Sequence, residues 1–124
     1  GNHRIGTFSA DGELRSWYTP DAPPAPVPES AVRSERLRYP YSLVMLADGT
    51  TLLCEYGACR LLHLDLEGER WLASFGRPGR LAGELYNPWG VTVIGETAYV
   101  LDSGNNRVLS FRSPVAGVDG WPAW

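Results

Sequence analysis

Three stretches of this 124-residue chain echo one another: GNHRIGTF at residues 1–8, EYGACRLLHL at 55–64 and DSGNNRVLSF at 102–111. They align on a shared glycine and arginine, Gly1 with Arg4, Gly57 with Arg60, and Gly104 with Arg107. The flanks agree as well. Upstream, YPYSLVMLADGTTLLCEYG from Tyr39 matches NPWGVTVIGETAYVLDSG from Asn87 with one residue fewer. Downstream, LDLEGERWLASFG ending at Gly76 matches FSADGELRSWY ending at Tyr18. The period is about 47 residues. A fixed period in this range marks stacked units, none of which can bury its apolar faces alone.

Within one unit, short apolar runs are separated by turn residues: YSLVMLA, then ADGT, TLLCEY, a GAC turn, RLLHLDL, EGE and RWLASFG. Runs of this length, rich in Val, Leu, Tyr and Trp and bounded by Gly, Asp and Asn, are strand signals. RLLHLDL and VTVI are apolar on both faces, which suits a sheet held between similar neighbours. The expectation is an all-β chain of four-stranded antiparallel units stacked face to face, the arithmetic of a β-propeller blade.

The formal net charge is −3, and arginine supplies every cationic side chain. A nucleic-acid footprint wants basic residues gathered on one face, so nucleic acid is not an expected partner. No stretch approaches the roughly 18 apolar residues of a membrane helix, so direct membrane insertion is not expected. The opening residues show no charged head followed by an apolar run, the pattern of a secretory leader. Two cysteines, Cys54 and Cys59, are too few for a disulfide framework or a closed zinc site. If EYGA between them forms a hairpin loop, the pair could face each other near disulfide distance. The alternative is one buried apolar cysteine and one loop cysteine.

NPWGVTV, AYVLDSGNNRVLSF and FSADGELRSW resemble the NHL repeat, which builds ring-shaped β-propellers, commonly six-bladed. The likeness runs from Gly1 to about Phe111 and is most specific in the last copy; in the middle copy EYGACR stands where DSGNNR is expected. The resemblance implies the end of one blade in residues 1–18, a proline-rich connection in 19–39, a complete blade in 40–76, a connection in 77–88, most of a further blade in 89–112 and a C-terminal tail in 113–124. About two and a quarter blades cannot close a ring, since propellers need at least four. An incomplete ring is therefore expected, completed by further blades or another chain.

In DSGNNR, Asp102 can fold back onto amides of its own turn, while Gly104, Asn105 and Asn106 tolerate left-handed backbone. The resemblance adds a functional reading, because ligands gather at such loops in the family; Asn2, His3, Glu55, Asp102, Asn105 and Asn106 are then the ligand-binding candidates. Arg4, Arg60 and Arg107 recur just after the turn, which suits a repeated bond to a neighbouring carboxylate or backbone group. His63 inside LLHLDL reads as a hydrogen-bonded core histidine. Some NHL enzymes, the peptide-amidating lyases, hold a metal with histidines at the ring centre, but Cys59 and Asn106 occupy the positions matching His3. No GxSxG elbow, GxxxxGK loop or paired His–Glu motif is present, so no catalytic residue, metal or cofactor is assigned.

Six of the ten prolines fall within residues 19–40, favouring extended backbone there. Pro23, Pro24, Pro26 and Pro28 are partner-binding candidates as an arm across a neighbouring subunit. Trp121 and Trp124, flanking Pro122, are candidates to cap the last strand edge or to anchor a partner. The function expected is a protein-interaction or scaffold module within a larger protein or complex. The alternatives are part of a propeller enzyme, a lyase or hydrolase, or an extracytoplasmic ligand-sensing domain. The expected partner is protein, either remaining blades or another subunit. Bacterial propellers of this kind favour periplasmic or secreted placement over cytoplasmic.

Overall fold

A computed structural model describes residues 4–18 and 37–114. These residues are all-β, with nine strands among them: β1 (Ile5–Phe8), β2 (Leu14–Tyr18), β3 (Pro40–Met45), β4 (Thr51–Glu55), β5 (Arg60–Asp65), β6 (Arg70–Phe75), β7 (Gly90–Ile94), β8 (Thr97–Asp102) and β9 (Arg107–Arg112). Among the described residues the only helical turn is a short 3-10 segment, Ser103–Asn105. The strands form three antiparallel sheets, β1-β2, β3-β4-β5-β6 and β7-β8-β9, each in sequence order, and none closes on itself.

Turn chemistry fixes each hairpin. Between β3 and β4, Asp48 Oδ1 accepts the Thr50 N–H at 2.9 Å, and Leu46 N–H bonds the Thr50 carbonyl at 2.7 Å. Gly49 takes φ 85°, a conformation that costs glycine little and other residues more. This turn leads into a β3–β4 register of Leu43 opposite Leu53 and Val44 opposite Leu52. In turn β4 pairs with β5, Leu52 opposite His63, Leu53 opposite Leu62 and Cys54 opposite Leu61. Because side chains alternate along a strand, these pairs sort onto two faces.

Both faces of the second sheet are covered. On the front, Leu52, Cys54 and Leu61 pack with Val91, Ala98, Val100 and Phe111 of the third sheet. On the back, Leu53, Leu62, Leu64 and Trp71 pack with Ile5 and Tyr18 of the first. Every residue of β4 is buried, and in β5 only Asp65 is not. This is why TLLCE and RLLHLD lack clean alternation: neither face meets water. Leu37 and Leu85, each just before the first strand of its sheet, plug the two interfaces and are almost completely buried.

Candidate functional site

Asp102 ends β8 with its side chain fully buried. Oδ1 accepts the Tyr86 N–H at 2.7 Å, and Oδ2 accepts Arg107 Nε and Asn105 Nδ2, each at 2.8 Å. Asn105 Nδ2 also donates to the Gly79 carbonyl at 2.8 Å. Arg107 extends further, donating to the carbonyls of Arg80 at 3.2 Å and Glu84 at 3.0 Å. The second sheet builds the same clamp. Glu55, also fully buried, accepts Arg38 N–H at 2.7 Å on Oε2 and Arg60 Nε at 2.5 Å on Oε1. Arg60 then lies over the Trp71 ring, 4.9 Å from its centroid. A buried carboxylate is tolerated only when paired and hydrogen-bonded, and each clamp meets that condition from within the fold.

Glu55 and Asp102, expected to face a ligand, are therefore occupied by internal partners and present no open carboxylate. Asn105 is half-buried in the same network, and Asn106 is exposed. The turn agrees with the sequence reading in its left-handed asparagine and differs in the backbone partner of Asp102. Asp102 holds the incoming segment at Tyr86, and the left-handed residue is Asn106 (φ 52°, ψ 43°). Gly104 is needed for close approach: its N–H donates to the Tyr86 carbonyl at 2.8 Å, and a Cβ would strike the Tyr86 backbone and ring. Gly57 repeats the contact with the Arg38 carbonyl at 3.0 Å. Asn2, His3, Pro23, Pro24, Pro26, Pro28, Trp121 and Trp124 lie outside the described residues.

The possible disulfide is corrected: Cys54 and Cys59 are both buried free thiols. Strand register places Leu61 across from Cys54, while Cys59 lies in the turn after Glu55, with φ 53°. Cys54 Sγ donates to the Pro88 carbonyl at 3.3 Å, and Cys59 Sγ accepts the Asn87 N–H at 3.4 Å. Each thiol thus meets the segment leading into β7. Burial first, and Glu55 next, push the Cys54 thiol up to about 12.

His63 is a buried, hydrogen-bonded histidine. Its Nε2 lies 2.6 Å from Thr50 Oγ1, which donates its one proton to Asp48 Oδ1 at 2.5 Å. The Nε2 proton must therefore bond the hydroxyl lone pair. Burial lowers the His63 pKa, with Asp48 opposing the shift. The hydroxyl is committed to Asp48 rather than to the imidazole, so the trio ties a hairpin turn to β5 and does not activate a nucleophile. Among the described residues no group of three or more His, Cys, Asp and Glu could hold a metal ion, and no helix is long and apolar enough to cross a membrane.

What the molecule does offer is apolar surface on its outer faces. On the front of the third sheet, Leu101 is 46% exposed and Val108 62%, side by side in register. On the back of the first sheet, Phe8, Leu14 and Trp17 are about half exposed, and Arg4 lies 3.7 Å from the Trp17 ring centroid. A third patch lies on β3, where Tyr41, Leu43 and Met45 are exposed beside the two-stranded first sheet. Of their repeat equivalents Trp89 is likewise exposed, whereas Val91 and Val93 differ because they pack on the wider second sheet. Sequence reasoning had not singled out these residues. The signal was present in the repeat itself, since Leu101, Val108, Phe8, Leu14 and Leu43 occupy positions that are buried in another copy.

No family model matches the sequence, and no curated protein matches it.

Proposed function

We propose that the chain is a segment of an NHL-type β-propeller and acts as a protein-interaction or scaffold module within a larger protein or complex. One observation carries this reading: the second sheet is covered on both faces by its neighbours, while the outer sheets leave the corresponding faces open. A soluble monomer seldom keeps extended apolar patches in water without a use for them. The buried carboxylate–arginine clamps favour the same reading, because the turns are built to hold each connection against its sheet rather than to display polar groups. Function then resides in surface shape and apolar complementarity.

Light scattering on a sizing column, combined with thermal unfolding, tests the proposal. A defined oligomer, or cooperative folding only with a second chain, is the expected result. A monomer that melts cooperatively and stays monomeric as its concentration rises would overturn it.

A further inference from the structure

The repeat register makes the two outer faces complementary. Cys54 and Leu61 on the front of the second sheet correspond to Leu101 and Val108 on the front of the third. The first pair is buried by the sheet that follows; the second pair is open. Likewise Leu64 and Trp71, paired across β5 and β6 on the back of the second sheet, correspond to Phe8 and Leu14, paired across β1 and β2 on the back of the first. Leu64 and Trp71 are buried by the sheet that precedes, whereas Phe8 and Leu14 are open. One chain therefore carries an unmated front and an unmated back of an interface that it already forms twice internally.

We infer that a second copy of this chain docks head to tail, the β7-β8-β9 front of one copy covering the β1-β2 back of the next. The inference rests on the stacked-sheet reading above and names the partner. Continuity of the internal interface supports it: the docked sheets would meet as the second and third sheets do, apolar row on apolar row. Such a contact is heterologous, with different surfaces on the two copies, so it propagates into a closed ring or an open filament.

The test uses two variants of the whole chain, Leu101→Asp to block the front and Phe8→Asp to block the back. Both positions are exposed, and far-UV circular dichroism checks that each variant keeps its sheets; Val108→Arg and Leu14→Arg provide a second pair. Wild type is expected to run at a mass of at least two chains, and each variant alone at the 13.6 kDa of one chain. Mixed in equal amounts, the variants retain one good front and one good back between them, so a species of twice that mass is expected. If wild type associates but folded variants still associate singly, or their mixture stays monomeric, head-to-tail docking is overturned while the interaction-module reading stands. A wild type that remains a cooperatively folded monomer overturns both.

Discussion

Arg107 Nε lies 2.8 Å from Asp102 Oδ2, and that carboxylate is fully buried. The pair closes the β8–β9 turn and, through the Tyr86 amide on the other oxygen, holds the connection from the second sheet against the third. Removing the carboxylate leaves the Tyr86 amide and the partly buried Arg107 without their acceptor, at a cost of about 1–3 kcal/mol. Asp102→Ala should lower the unfolding free energy measured in urea by that much, and Glu55→Ala should lose at least as much. The exposed pair Arg70–Asp65 is the control, since its arginine side chain is 68% exposed. Asp65→Ala should cost no more than about 1 kcal/mol from loss of that ion pair. Equal losses at Asp102 and Asp65 would mean that the clamp does not stabilise the fold.

Glycine substitutions should separate close approach from empty space. At Gly104 a Cβ meets Tyr86, including its backbone, which cannot swing aside. Gly104→Ala should therefore destabilise by about 1–3 kcal/mol, the usual range for overpacking. A Cβ at Gly90 meets nothing within 4 Å. Gly90→Ala should stay within about 0.5 kcal/mol of wild type. Thermal unfolding of the two variants side by side checks the contrast.

The buried histidine makes stability depend on pH in a defined window. Burial lowers the His63 pKa in the folded chain, so on acidification the unfolded chain takes up this proton first. Its contribution to stability is complete above the ordinary histidine value of about 6.5, falls as pH drops below it, and levels off beneath the folded pKa. Asp65 acts elsewhere. The Gly68 amide, and then Arg70, hold its carboxyl below the usual value, so its contribution is lost only as pH falls below about 3.9. Urea midpoints at pH 8, 6 and 5 should decline for wild type and change less for His63→Gln. An identical decline in the variant would assign the effect to another group.

Neither thiol should react in the folded state, and reductant should leave the melting temperature unchanged. The Cys54 thiol, raised to about 12, stays protonated at neutral pH, and thiolate is the reactive form. Cys59 is only 4% exposed. Labelling with a thiol reagent should be slow in buffer and modify both cysteines in denaturant. Rapid labelling of one cysteine in buffer would contradict this burial.

Much of the architecture was legible in the sequence because it is written in contiguous residues. RLLHLDL, apolar on both faces, announces a strand buried on both sides and became β5 at the centre of the stack. VTVI, read the same way, instead lies in β7 with Thr92 and Ile94 exposed, because no further sheet among the described residues covers that face. The ADGT stretch contains the hydrogen-bonding groups of its own turn. The recurrence of Arg4, Arg60 and Arg107 likewise pointed to a repeated bond; Arg60 and Arg107 each meet a carboxylate five residues back, while Arg4 lies over the Trp17 ring.

Tertiary structure decided what those groups were free to do. Asp102 could serve its own turn, a ligand or a distant amide; only folding brings the Tyr86 N–H, sixteen residues away in sequence, onto its carboxylate. Cys54 and Cys59 are neighbours in sequence, yet strand register separates them and turns each toward the segment before β7. The same apolar repeat position is core at Leu61 and surface at Val108. A strand's sequence specifies its two faces, but burial depends on whether another sheet lies across them, and that is a property of the assembled stack.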